Sequence, residues 1–416
     1  MTGSYFRVLI FSSRKEDGTF FEYRLRPYKQ RPTFAAHPMK LSTAMFSSAR
    51  IVPRRHPDVS STHPTFFKNL ASSEGSISCL GLSMATHPIS LNSRRSLCVS
   101  SSSKAGDGAP PSPPQGAESF MRSVLQSMEI AYLNRNPTAK AVLDLVRSAG
   151  EDQISYDHLA FRTFGVNDHG IDSMASFFLE HGYTPREELR FPAKKLRALW
   201  FSPPKSSLGG AGSRVQGPLP RIFISELLVD QMSPQAQEII RRYTGISASG
   251  NKYAALASAL GTLTWERPLH SEFQLLARES EYAAWTLVNG YALNHVTISA
   301  HQLKSTLRSI NNLNKFIEDN GFKLNSEGGV LKVSPDGLLQ QSSTVADSFP
   351  FQFSDGVTEA VPCSYIEFAE RLVLPQFQNL PEKEVKEIHR RDGFEVGNAD
   401  KIFESTSKEQ LTRRAA

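Results

Sequence analysis

A landmark that occurs twice constrains this chain more than anything else in its sequence. Asp157-His158-Leu159 opens one stretch and Ser225-Glu226-Leu227 closes it. Asn294-His295-Val296 opens a second stretch and Ile366-Glu367-Phe368 closes that one. His158 and Glu226 are 68 residues apart, and His295 and Glu367 are 72 apart. The pattern between the landmarks also runs in the same order. SYDHLAFRTFG, Ser155 to Gly165, alternates and is rich in aromatic residues, which predicts a strand. A helix follows from Ile171 to about His181 and stops at Gly182. Strands come next around Trp200 and over 221–229, parted by a glycine-rich turn at Gly209 to Gly212. In the second stretch, Tyr291 to Ser299 predicts a strand and His301 to Phe322 an amphipathic helix. Val330 to Val333, Phe349 to Phe353 and Ser364 to Leu374 predict strands. The expectation is an α+β fold with two βαβββ units, residues 154–232 and 291–375, pairing into a curved mixed sheet.

The remaining segments decorate that core. Residues 118–153 read as N-terminal helices, with Phe120, Val124, Leu125, Met128 and Ala131 on one face. Residues 233–290 read as a helical insertion, and 376–416 as a C-terminal segment that reaches the site. Residues 1–117 lack sustained periodicity and end in the linker GDGAPPSPPQGA. From Tyr23 to Gly106 this arm has 12 Lys and Arg against two acids, Asp58 and Glu74. The chain as a whole is +6, so the body from residue 107 onward carries −4. The basic pI therefore belongs to the arm, and no basic face for nucleic acid is expected on the body. A Ser- and Arg-rich, acid-poor arm has the composition of an organelle transit peptide. Its serine content favours a plastid, with a mitochondrion as the alternative and an untargeted tail as the bland one. The stretch before Met39 departs from this composition and reads as an upstream extension. Cys79, Cys98 and Cys363 show no metal-ligand spacing, so a disulfide framework is not expected. No apolar run is long enough for a membrane span.

Alternation along a strand puts Tyr156, His158, Ala160 and Arg162 on one face. Leu293, His295 and Thr297 share another, as do Tyr365, Glu367, Ala369 and Arg371. If the two units face one cavity, two imidazoles and a carboxylate can hold one metal and leave positions open for substrate and O₂. A lone strand histidine is more often a hydrogen-bonded core residue, but equivalence within a repeat favours a ligand pair. His169, His181 and His301 lie at helix ends and read as caps or surface groups. Glu226 is the rival carboxylate. A surface ion pair near Glu370 and Arg371 is the plain alternative for Glu367, and a solvated strand arginine the plain alternative for Arg162.

At these residues the sequence resembles the 2-oxoadipate dioxygenase/decarboxylase family, also called hydroxyglutarate synthase. The resemblance spans about Glu118 to Leu411. It rests jointly on YDHLAFRTFG, FISELL, ESEYAAWTLVNGYALNHVTI, LLQQSSTVAD, SYIEFAER and GFEVGNADKIFEST. It implies a vicinal oxygen chelate fold with Fe(II) held by His158, His295 and Glu367, and substrate contacts at Arg162 and Val396. It further implies that 2-oxoadipate and O₂ yield 2-hydroxyglutarate and CO₂, in lysine catabolism within a plastid. The glycine-rich insertion from Ser206 to Gly217 has no counterpart in the family pattern. Two other readings remain open from sequence. One is a glyoxalase-like isomerase or lyase with Glu226 as fourth ligand. The other is a non-catalytic starch- or partner-binding protein.

Overall fold

The computed structural model describes residues 115–412, apart from residues 152, 167, 205–216, 247–249 and 305. The turn at Gly209 to Gly212 lies outside the described residues, as does the predicted transit arm except its last three residues, 115–117, which belong to the first helix. Two helices come first, α1 (Gln115–Arg135) and α2 (Pro137–Ser148). The first repeat is β1 (Tyr156–Phe164), α3 (Ile171–Glu180), β2 (Thr184–Phe191), β3 (Leu196–Ser202) and β4 (Arg221–Leu227). Then come α4 (Pro234–Ile246), α5 (Gly250–Leu260), α6 (His270–Glu279) and α7 (Glu281–Asn289). The second repeat is β5 (Leu293–Ser299), α8 (Ile310–Asp319), β6 (Lys332–Val333), β7 (Leu339–Ser343), the hairpin β8 (Ser348–Gln352) and β9 (Thr358–Pro362), and β10 (Tyr365–Arg371). The helices α9 (Val396–Ile402) and α10 (Lys408–Thr412) close the described chain.

Eight strands form one curved mixed sheet in the order β2-β3-β4-β1-β5-β10-β7-β6. Reading outward from the centre, β1-β4-β3-β2 mirrors β5-β10-β7-β6. The first pair on each side is parallel and the other pairs are antiparallel. The two βαβββ units are therefore real and meet at the antiparallel pair β1·β5. The β8·β9 hairpin stands outside this sheet, so Phe349 to Phe353 is not one of its strands.

Both faces of the sheet are covered, which is why β1, β5 and β10 are buried almost throughout. One face packs on α1, α3 and α8. There Phe161 meets Phe178 of α3 at 6.0 Å, and Ser342 Oγ donates to Asn314 Oδ1 of α8 at 2.6 Å. The other face carries the site. It is closed by α7 and by the segment around α9, through Tyr282, Trp285, Phe394 and Phe403.

Several local expectations shift. The buried face of α1 is Met121, Leu125, Met128 and Tyr132, while Phe120 is exposed. Its ring packs on Phe177 and His181 instead of entering the main core. The predicted helix from His301 to Phe322 is two 3₁₀ turns followed by α8, which begins only at Ile310. Of the three histidines read as caps or surface groups, His169 and His301 are buried. His169 contacts Tyr291 Oη at 3.0 Å, and His301 pairs with Glu387 at 3.0 Å.

Candidate metal centre

Three strands bring the site together. His158 comes from β1, His295 from β5 and Glu367 from β10, and all three side chains are buried. The β10·β5 register sets Glu367 opposite Thr297, two residues beyond His295, so both project from the same face. The two Nε2 atoms are 3.2 Å apart. Glu367 Oε2 lies 3.0 Å from His295 Nε2, and Glu367 Oε1 lies 3.7 Å from His158 Nε2. Ligands ~2.1 Å from one metal lie ~3.0 Å apart when adjacent in an octahedron and ~4.2 Å apart when opposite. All three separations fall below the opposite-position value, so the donors sit on one side of a shared point.

A β-bulge precedes each histidine. Tyr156 pairs with Ile298 but His158 with Thr297, which makes Asp157 an extra residue. Ala160 pairs with His295 but Phe161 with Leu293, which makes Asn294 the extra residue on β5. The bulges break the predicted alternation, so Tyr156 and Leu293 leave the site face. Tyr156 instead donates to Glu129 of α1 at 2.6 Å. Asp157 and Asn294 are re-aimed at the rings that follow them. His158 Nδ1 lies 2.8 Å from Asp157 Oδ1, and His295 Nδ1 lies 3.0 Å from Asn294 Oδ1. A carboxylate and an amide oxygen can only accept, so Nδ1 carries the hydrogen in both rings and each Nε2 presents a lone pair. Two lone pairs and a carboxylate turned toward one another are unfavourable without a cation. The donor set therefore fits a divalent metal.

Protonation agrees with that reading. Burial lowers the proton affinity of His295 more than Glu367 raises it. Burial alone would raise Glu367, but His158, His295 and a hydrogen bond from Gln341 outweigh it and hold the carboxyl below its ordinary value. Gln341 Nε2 donates to Glu367 Oε1 at 2.7 Å, and Asn398 Nδ2 of α9 donates to Gln341 Oε1 at 3.1 Å. Thr297 Oγ1 lies 3.0 Å from His158 Nε2.

Behind His158, Arg371 grips Asp157 with two bonds, Nε to Oδ2 at 2.6 Å and Nη2 to Oδ1 at 2.9 Å. Burial would raise Asp157, but Arg371, Arg221 and His158 hold it well below the usual carboxylate range. Arg371 is thus no surface partner for Glu367. The other flanking residue, Glu370, accepts from Ile310 N at the start of α8 at 2.8 Å.

Glu226, the rival ligand, lies elsewhere. Its Oε2 accepts from Ile171 N at the start of α3 at 2.8 Å, and its Oε1 pairs with Arg197 Nε at 2.6 Å. It pairs across the sheet with Thr163, on the face away from the site. A Cβ at Gly170 would sit 2.2 Å from Glu226 Oε2, so this glycine makes the cap possible. The 68- and 72-residue separations therefore align the wrong residues. The position equivalent to Glu367 is Phe223, which pairs with Ala160, two residues beyond His158. The true counterpart of Glu226 is Glu370, three residues after Glu367 as Glu226 is three after Phe223.

Arg162 is buried, which rules out a solvated strand arginine. Nη1 donates to Thr406 Oγ1 at 3.0 Å and Nη2 to the Phe403 carbonyl at 3.2 Å. The rings of Tyr282, Trp285 and Phe403 lie 5.0–5.7 Å from its guanidinium carbon. It forms one wall of a cavity of about 230 Å³ that Lys194, Tyr282, Phe403 and Thr406 also line. Val396 is the first residue of α9 and is exposed. It lies between Phe394, whose ring meets His158 at 4.8 Å, and Asn398.

A mirrored βαβββ sheet with a two-histidine, one-carboxylate group at its centre defines a vicinal oxygen chelate protein. A solved glyoxalase superfamily protein of Ralstonia eutropha shares this fold, at 20% identity over 69% of this chain and 90% of its own, with a TM-score of 0.52. Residues 124–387 match the 2-oxoadipate dioxygenase/decarboxylase family, and the chain belongs to that family. A relative from Arabidopsis thaliana, 2-oxoadipate dioxygenase/decarboxylase, chloroplastic, is 74% identical over 298 residues, covering 72% of this chain and 80% of its own. The crystal structure of hydroxyglutarate synthase from Oryza sativa in complex with 2-oxoadipate is 70% identical. It covers 74% of this chain and 100% of its own, with a TM-score of 0.71.

Proposed function

We propose that this chain binds iron(II) through His158, His295 and Glu367 and converts 2-oxoadipate and O₂ to 2-hydroxyglutarate and CO₂. The observation that carries this reading is the donor set: two imidazoles locked with Nε2 turned toward one point, one carboxylate, and Phe223 where a fourth ligand would stand. Two histidines and a carboxylate with open positions suit iron(II) oxygen chemistry. Bound iron would supply a redox centre at which a 2-oxo acid and O₂ meet. The names and bound ligand of the relatives point to the same substrate.

The protein's own groups prepare that centre. Asp157 and Asn294 keep the hydrogen on Nδ1 of each ligand histidine, and Gln341 fixes the carboxylate of Glu367. Arg162 offers a buried guanidinium to a substrate carboxylate. Phe223 and Phe394, 4.9 Å apart, wall the site on the first-repeat side and exclude water. Val396, exposed at the start of α9 between Phe394 and Asn398 in sequence, is assigned to the substrate edge by the family resemblance. The reaction balances without another reductant. Oxidative loss of C1 as CO₂ supplies two electrons and oxidation of the C–H beside the new carboxylate supplies two more, while one oxygen atom of O₂ enters that carboxylate and the other becomes the hydroxyl oxygen.

Glu226 is occupied as the cap of α3, so it gives no support to the four-ligand isomerase. Loading the protein with iron(II) under argon and then adding 2-oxoadipate and O₂ tests the proposal. One O₂ should be consumed and one CO₂ released per 2-hydroxyglutarate formed. Product formation without O₂ would refute it.

The basic, Ser-rich arm and the chloroplastic relative support import into a plastid, and the substrate supports a role in lysine catabolism. Residues 1–117 fused to a fluorescent protein should enter plastids. A diffuse cytosolic signal would overturn the targeting role.

A further inference from the structure

Buried polar atoms without a partner are uncommon, because each forfeits its hydrogen bonds to water. Two of them occur together at this site. Among the described residues, neither Arg162 Nε nor Tyr365 Oη meets a partner in good hydrogen-bond geometry, although both residues are almost wholly buried. Tyr365 stands two residues before Glu367 on β10, opposite His295, and its ring stacks on that histidine at 4.7 Å and 25°. Arg162 and Tyr365 lie beside each other, at the edge of hydrogen-bonding reach. A phenol O–H can donate a hydrogen bond.

Arg162 is also fixed in place. Thr406 and the Phe403 carbonyl each take one N–H of its two outer nitrogens and three aromatic rings surround it, while Nε is the guanidinium nitrogen with no acceptor. Those two hydrogen-bond partners are neutral, and Glu404 acts on the guanidinium only through space. The cavity it walls is lined by Lys194 and Lys195 as well as by Glu279, Glu281 and Glu404. A preset pair of donors beside a cation suits a carboxylate.

We propose that Tyr365 Oη and Arg162 Nε together receive the carboxylate of the 2-oxo diacid at the end remote from the metal, which makes Tyr365 a determinant of diacid specificity. This inference rests on the proposed substrate class. A chelating 2-oxo acid end occupies the metal, and the far carboxylate then needs donors of its own. A site built to hydrogen-bond a group discriminates strongly against the analogue that lacks it.

Tyr365→Phe removes only the hydroxyl and keeps the ring on His295. Calorimetric titration of the metal-loaded protein under argon compares 2-oxoadipate with 2-oxohexanoate, which has the same length but no far carboxylate. The substitution should weaken 2-oxoadipate binding about ten- to a hundredfold and leave 2-oxohexanoate within about threefold. The melting temperature of the metal-free, substrate-free protein should hold or rise by about 1–3 °C, because an unpartnered hydroxyl is lost. A merely structural tyrosine would instead lower it. Unchanged 2-oxoadipate binding, equal weakening of both acids, or a fall of several degrees would overturn the proposal. Wild-type protein that binds neither acid would refute the substrate reading itself and this inference with it. Wild-type binding that Tyr365→Phe leaves intact would refute this inference alone.

Discussion

The two halves of the sheet share one plan and differ at one decisive position. In each, a bulged Asp or Asn turns toward the histidine after it, and in each a glutamate caps the helix of its own repeat. Glu226 does so at Ile171 and Glu370 at Ile310. Three residues before that cap, one half has Phe223 and the other Glu367. The structural carboxylate is present in both halves, and the metal-facing carboxylate in only one. Symmetry thus supplies the paired histidines and its breaking supplies the open side. The orienting residues are unequal too, since Asp157 is charged and clamped by Arg371 whereas Asn294 is neutral.

The sharpest break of this comparison removes the ligands. His158→Ala, His295→Ala and Glu367→Ala should each lower metal affinity more than a hundredfold, beyond the roughly 10–100-fold typical of losing an outer partner. Metal analysis after dialysis reads this directly. Restoring symmetry comes next. Phe223→Glu should retain metal and lower turnover about 100-fold, a barrier increase of ~2.7 kcal/mol, because it fills the open side. Metal content and oxygen uptake measured on one sample check both halves of that statement. Asp157→Asn, which makes the first half resemble the second, should weaken metal binding about tenfold. It should also cost ~3 kcal/mol of stability, because Arg371 is left buried without its charge partner. Chemical denaturation and metal titration follow the two effects. The smallest change is Glu226→Gln. It should leave metal content and turnover intact and cost about 1 kcal/mol through the α3 cap, with little from the half-exposed Arg197 pair.

Much of this was legible in the sequence, and the failures have a common physical cause. Period-two alternation and the repeated His landmarks exposed the two units and the ligand histidines, because strand faces are set locally. Glu367 was found, but its supposed partner Glu226 was not equivalent to it. Equal spacing in sequence ignores loops of different length and register, and only strand pairing places Phe223 opposite Ala160. The bulges were likewise invisible. Asp157 and Asn294 were noticed as landmarks, yet simple alternation pointed them away from the site and kept Tyr156 and Leu293 on it. Gln341, Thr297 and Tyr365 lay in recognisable segments, but their roles depend on neighbours across the sheet. Arg371, named in the surface-pair alternative for Glu367, instead pairs with Asp157, a residue 214 positions away.

Diffraction at the iron absorption edge, from crystals of the iron-loaded protein, tests the central claim most directly. The account predicts one anomalous peak ~2.0–2.3 Å from His158 Nε2, His295 Nε2 and a carboxylate oxygen of Glu367, with Glu226 still bonded to Arg197 and to the start of α3. A peak coordinated by Glu226, or one lying away from these three residues, would contradict it.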